Sequence, residues 1–181
     1  MLDDFYEAGT NRNSSVEKVA LKFIKDLKPD QYKVFETIAD GITGKSNRDK
    51  NLFFVEGSGG CGKTFLYNTL IRWCLAGKPD FRTNGDLALP QVGGPSNEPN
   101  KTLNRGSVIS AASTGIAALL LIGGGTVHRQ FYVPKDLDDD TQPRVSAHTD
   151  TADHFRNVDL IIIDVSTFQK CYIFLFRKLA C

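Results

Sequence analysis

Gly57-Ser58-Gly59-Gly60-Cys61-Gly62-Lys63-Thr64 follows Leu52-Phe53-Phe54-Val55-Glu56 and precedes Phe65-Leu66-Tyr67-Asn68-Thr69-Leu70. The spacing fits G-x-x-x-x-G-K-[ST] in the context that gives it meaning, an apolar strand before it and a helical pattern after it. Glycine lets the backbone curl so that N–H groups face phosphate oxygens, and the next helix adds the positive end of its dipole. Lys63 then reaches the outer phosphates of a nucleotide, and Thr64 offers a hydroxyl to magnesium. The stretch predicts a phosphate-binding loop at the end of a buried strand.

Toward the C-terminus, Ser107-Val108-Ile109-Ser110-Ala111-Ala112 reads as a second buried strand, followed by Ser113-Thr114-Gly115 and a helix through residues 116–121. Gly123-Gly124-Gly125 stops that helix and leads to Thr126-Val127-His128-Arg129-Gln130-Phe131. The acidic stretch with Asp136, Asp138, Asp139 and Asp140 reads as a solvated loop, and a short helix is expected over residues 150–156. Val158-Asp159-Leu160-Ile161-Ile162-Ile163-Asp164 is apolar on both faces and ends in an acid, as a Walker B strand does in a phosphate-loop protein. Asp164 would stand at the C-terminal edge of a parallel sheet near Thr64, holding magnesium directly or through water. Tyr172, Ile173, Phe174, Leu175, Phe176 and Leu179 are expected to crowd a final helix. Strands alternating with helices imply a doubly wound α/β domain on a parallel sheet.

Before the loop, residues 1–13 are poorly patterned, and Ser14-Ser15-Val16-Glu17 has capping-box spacing. Val16, Val19, Ala20, Phe23, Ile24 and Leu27 then recur at helical period. Pro29 suits the first position of a second helix whose stripe is Val34, Phe35, Ile38 and Ala39. Residues 1–26 are thus a lead-in with an amphipathic helix, and 27–181 the nucleotide-binding domain. Residues 78–105 lose periodicity and fill with Gly, Pro and Asn, so they are expected to be a disordered insertion.

At 181 residues, 41% hydrophobic and 24% charged, the chain is long enough for one domain with a sizeable core. A net charge of +1 supplies no global basic field, so any nucleic-acid contact would come from a local face. Cys61, Cys74, Cys171 and Cys181 form no C-x-x-C pair, and His128, His148 and His154 add no zinc spacing. A reduced compartment and no structural metal are expected. The opening residues show no basic region and no apolar run, which argues against a secretory leader. Asp3, Asp4 and Glu7 argue against a mitochondrial one, and no apolar run approaches a membrane span, so the expectation is a soluble intracellular protein.

Taken in order, five blocks carry a resemblance: Leu27-Lys28-Pro29-Asp30-Gln31; residues 54–66 around the loop; Ala112-Ser113-Thr114-Gly115-Ile116-Ala117-Ala118-Leu119-Leu120-Leu121; Gly124-Gly125-Thr126-Val127-His128; and Asp159-Leu160-Ile161-Ile162-Ile163-Asp164. Together they resemble the Pif-one family of superfamily-one DNA helicases, including relatives in Helitron transposons. The resemblance implies a RecA-like P-loop NTPase fold and an ATP-dependent DNA helicase, with ATP and magnesium as cofactors and single-stranded DNA as partner. It also implies roles in DNA repair, recombination and telomere maintenance, in the nucleus or, for some members, the mitochondrion. Carried over by motif, Gln31 would recognise adenine. Gly57, Ser58, Gly59, Gly60, Cys61, Gly62, Lys63 and Thr64 would bind ATP, with Thr64 and Asp164 on magnesium and Lys63 and Asp164 as catalytic residues. Ser113, Thr114, Gly115, Thr126 and His128 would lie near DNA, with His128 or Phe131 touching a sugar or stacking on a base.

Two departures from that pattern shape the expectation. The family follows its strand-tip aspartate with a glutamate that activates water, whereas Val165 stands here and no acid follows Asp164. General-base catalysis is worth about 10²–10⁴ in rate, so ATP is expected to bind but to turn over slowly. The later motifs, with arginines from a second RecA-like domain, are also expected to be missing, as is the strand the family inserts between its two Walker strands. The domain would then be truncated after the Walker B strand and its helix, with a second domain lost or supplied in trans. The alternative is a non-catalytic, transposon-derived fragment that holds ATP or DNA. A small phosphotransferase would need a patterned, arginine-bearing lid, and residues 78–105 offer Arg82 and Arg105 without one.

Overall fold

A computed structural model describes residues 10–44, 52–82, 106–134, 145–146, 148–165 and 170–175. Its strands are β1 (Leu52–Glu56), β2 (Val108–Ala112), β3 (Gly125–Thr126), β4 (Leu160–Val165) and β5 (Lys170–Leu175), joined in one sheet of order β1-β5-β4-β2-β3. Its helices are α1 (Thr10–Lys25), α2 (Pro29–Thr43), α3 (Lys63–Leu75), α4 (Gly115–Leu119), α5 (Val127–Gln130) and α6 (Asp150–Arg156). β2 runs parallel to both β3 and β4, while β5 runs antiparallel to both β4 and β1. Two antiparallel steps return β1 to the direction of β4. This is a mixed α/β sheet of the P-loop, RecA-like kind.

The expected final helix is corrected by β5. Lys170 to Leu175 pair with β4 on one side, Ile162 opposite Ile173, and with β1 on the other, Phe53 opposite Ile173. A short apolar run has no period that separates a buried helix from a buried strand. What decides it is that β1 and β4 each present a row of unpaired backbone groups, and one strand between them satisfies both. The same strand lies between β1 and β4, the two Walker strands, where the strand inserted by the family was expected to be missing. Phe176 and Leu179 lie outside the described residues, as does the acidic stretch at 136–140.

Along β4 the side chains alternate at period two, and both faces are apolar because helices cover both. Leu160 and Ile162 join Ile24, Phe35, Ile38, Leu66, Leu70 and Trp73 beneath α1, α2 and α3. Ile161 and Ile163 turn the other way, to Ile109, Val158, Phe131 and Phe155. α3 is the most deeply set helix, burying Leu66, Tyr67, Thr69, Leu70, Ile71, Trp73 and Cys74. Burial pushes the Cys74 thiol up to about 12, so it packs as an apolar group.

α1 reaches back to Thr10, so the Ser14 capping-box spacing falls inside the helix instead of at its start. It packs on the first turn of α3, with Phe23 5.7 Å from Phe65 and the Arg72 guanidinium 4.2 Å above the Phe23 ring. Pro29 opens α2 as expected. α4 ends at Leu119, short of the expected Leu121.

The stretch expected to be an insertion begins with packed residues. Phe81 meets Phe35 at 5.1 Å and Trp73 at 5.9 Å, and Trp73 Nε1 donates to the Pro79 carbonyl at 2.8 Å. Arg82 pairs with Glu36 at 3.2 Å and with Asp40 at 2.5 Å. Chain-local composition does not reveal that an aromatic four residues past a glycine will fill a gap between two earlier helices. Residues 83–105 lie outside the described ones. Lys78, in the left-handed region at φ 60, forms an ion pair with Asp159 at 2.9 Å, and Asp159 also accepts from Ser107 N–H at 2.8 Å. That knot ties the entries of β2 and β4 to the end of α3.

Phe35 is fully buried at the centre of this aromatic cluster, whereas Val19 is 42% exposed on α1. Truncating Phe35 to alanine is expected to cost about 3–5 kcal/mol through lost transfer energy and a residual cavity. Val19→Ala should stay within about 0.5 kcal/mol of the parent. Urea denaturation of both variants measures the contrast.

Candidate functional site

The loop at residues 57–62 leaves the C-terminal end of β1, and its glycines have structural reasons to be glycine. Gly60 and Gly62 sit at φ 76 and 85, where side chains are strained. A Cβ on Gly57 would lie 2.7 Å from Cys61 Sγ and 3.7 Å from Lys63 Cδ, inside the curl of the loop. A Cβ on Gly62 would strike Gln31 Nε2 at 2.5 Å.

Lys63 turns its ammonium back onto the loop, donating to the Gly57 carbonyl at 2.5 Å and the Ser58 carbonyl at 2.9 Å, with Cys61 Sγ at 3.8 Å. α3 begins at this lysine with Gly62 as N-cap and no side-chain cap. By contrast, Thr114, Thr126 and Thr149 cap α4, α5 and α6 with their hydroxyls. The first-turn N–H donors of a 13-residue helix therefore open onto a glycine-lined curl with a lysine beside it. That donor set and that steric cradle fit the phosphates of a nucleotide.

Gln31 is brought to the loop by α2. Its Nε2 donates to the carbonyls of Cys61 at 3.0 Å and Gly62 at 3.3 Å, while Oε1 accepts from the Lys28 N–H at 2.9 Å. The glutamine braces the loop from behind.

Direction and register place the remaining residues. β1, β4, β2 and β3 all point the same way, so the loop and the ends of β4, β2 and β3 share one sheet edge. Asp164, Ala112 and Thr126 stand abreast in register. At about 4.8 Å per strand, β1 is about 10 Å from β4 and about 19 Å from β3. Lys63 and Asp164 span the shorter gap electrostatically. Burial raises the Asp164 carboxyl above the usual carboxylate range, and the nearby Lys63 charge pulls it partly back. With Thr64 at the start of α3, the candidate oxygen ligands for magnesium at this edge would be a hydroxyl and a carboxylate. Val165 follows within β4, opposite Lys170, and brings no proton acceptor.

Ser113, Thr114 and Gly115 are exposed just past β2. Ser113 N–H donates to the Asp164 carbonyl at 3.0 Å, and Thr114 Oγ1 accepts from Ala117 N–H at 3.2 Å. Thr126 Oγ1 accepts from Arg129 N–H at 3.3 Å, and His128 is exposed on α5. Each threonine keeps its own O–H free to donate outward. One face of Phe131 is taken by Phe155, 6.0 Å away and nearly coplanar at 13°, against the smaller core. The exposed aromatic at this end is Tyr132, at φ 55. Neither the bracing by Gln31 nor the commitment of Phe131 has a signal in local sequence pattern. Among the described residues, no helix is long and apolar enough to cross a membrane.

The profile of PIF1-like helicases matches residues 26–78 and 100–179. The chain belongs to the PIF1-like helicase family. The matched stretches contain Gln31, the loop, the Ser113 to Gly115 segment, Thr126, His128 and Asp164. Membership supports a DNA helicase-type function and, in general for the family, the use of nucleotide, magnesium and nucleic acid. No curated protein matches the chain significantly.

The raised Asp164 titration has a testable sign. A carboxyl whose folded value lies above its unfolded value is favoured neutral in the fold, so its ionisation lowers stability as pH rises past the unfolded value. Asp164→Asn is expected to melt at a higher temperature than the parent at neutral pH without magnesium or nucleotide. The difference should vanish below the ordinary carboxylate range, where both are neutral. Melting curves across pH check it.

Proposed function

We propose that the chain binds ATP with magnesium at residues 57–64 and single-stranded DNA along residues 113–115 and 126–128, and that it hydrolyses ATP slowly. The observation that carries this reading is the shared sheet edge, where Lys63 in its glycine curl, Asp164 and the 113–115 loop follow one another across the strands. Lys63 would move from the Gly57 and Ser58 carbonyls to the outer phosphates, and Thr64 with Asp164 would hold the magnesium. Magnesium, when bound, neutralises charge on the transferring phosphate. Gln31 has one Oε1 lone pair left after the Lys28 bond, enough to accept from an adenine amine without leaving the loop.

Val165 supports the slow rate, since the residue that follows the strand-tip acid carries no group that can take a proton from water. It equally favours a second reading, a binding module that holds ATP and DNA without turning over. DNA-stimulated phosphate release and strand separation discriminate the two, and the absence of both with nucleotide binding intact selects the module.

Titration with a fluorescent ATP analogue tests the proposal. Binding should require magnesium, and Lys63→Ala should weaken it at least tenfold, about 1.4 kcal/mol. Magnesium-independent binding that ignores Lys63→Ala would sink the reading. Placing glutamate at position 165 is expected to raise phosphate release by up to about 10²–10⁴.

A further inference from the structure

Asn68 lies one helical turn past Thr64 on α3, so the two side chains share a helix face. Its amide donates from Nδ2 to the Leu120 carbonyl at 2.8 Å and accepts at Oδ1 from the Ile122 N–H at 3.0 Å. A side chain thereby makes both bonds that a neighbouring strand would make to the turn after α4. The other end of that block is held as well, through Ser113 N–H on the Asp164 carbonyl at 3.0 Å. Residues 113–122 therefore hang between the helix that begins at Lys63 and the strand that carries Asp164.

Packing alone holds α4 weakly. Ile116 and Leu119 are 80% and 87% exposed, and the helix itself buries only Ala117 and Ala118. With so little apolar area removed from water, the polar anchors set where the helix stands. Leu119 and Leu120 face outward, and only past the helix does Leu121 enter the main core, next to the Leu120 and Ile122 backbone groups that Asn68 holds.

We propose that Asn68 is a positioning residue that couples the nucleotide loop to the 113–115 loop. It sets where Ser113, Thr114 and Gly115 stand relative to Lys63 and Thr64, and it carries a shift of α3 from one to the other. The coupling rests on the nucleotide and DNA binding proposed above. Coupling between two ligands is reciprocal, so it is read from either side.

The test uses the full chain, a fluorescent ATP analogue with magnesium, and labelled oligothymidylate. In the parent, saturating oligothymidylate should change nucleotide affinity by about fivefold or more. In Asn68→Leu that factor should collapse to about one, while nucleotide affinity without DNA stays within about twofold. A leucine variant that keeps the full factor, or a parent that binds both ligands without any factor, overturns the coupling. Asn68→Asp keeps the acceptor for Ile122 but sets a carboxylate against the Leu120 carbonyl; it should also lose the factor, and retention would overturn the role of the donor. Amide hydrogen exchange gives a ligand-free reading. Asn68→Leu should speed exchange at Ile122 and across 113–118 while the α3 amides stay protected, and unchanged exchange there overturns the positioning role. If the parent binds neither probe, the proposed function falls by itself, and the exchange result still decides what Asn68 does.

Discussion

Among the described residues, β1 joins the sheet solely through its antiparallel ladder with β5, from Leu52 opposite Phe174 to Glu56 opposite Lys170. The phosphate loop hangs from the end of that strand. Without β5 the loop would have no fixed height relative to Asp164, and Lys63 would have no fixed distance to it. Because β5 is antiparallel to both neighbours, it restores β1 to the direction of β4, which brings the loop and the acid to the same edge. An odd number of antiparallel steps would have sent them to opposite edges.

Once the edge exists, helices set its fine geometry. α3 is buried nearly all round, so the first turn that opens onto the loop is stiff. α2 sends Gln31 onto the back of the loop, and α1 presses Phe23 on Phe65 beside Thr64. These contacts pre-set the curl before any ligand arrives, which lowers the ordering cost of binding. Opposing that order is the buried Asp164 carboxyl, whose desolvation costs stability that the Lys63 charge only partly offsets. A site that keeps a destabilised charge at its centre is suited to receiving a cation.

Much of the candidate site was legible in sequence, because its signals are local. The glycines at 60 and 62 do occupy left-handed positions, Lys63 does turn into the loop, and Asp164 does end near the tip of a buried strand. The blocks around residues 113–115 and 126–128 were legible as motifs, but the use of Thr114 and Thr126 as helix caps, and the packing of Phe131 on Phe155, were not. Those depend on which surface the neighbouring helix offers, and a side chain of one type serves either purpose.

By itself, the sequence determined the fold class, the phosphate loop, the acid-tipped strand and the family, since each is written in residues within a dozen positions of one another or in the order of such blocks. Tertiary structure alone decided that residues 170–175 form a strand, that Gln31 braces Cys61 and Gly62, and that Asn68 holds Leu120 and Ile122. The physical reason is the same in all three. Each depends on backbone groups with partners 30 or more positions away, β1 being that partner for residues 170–175, and hydrogen-bond satisfaction over that separation leaves no period in the chain.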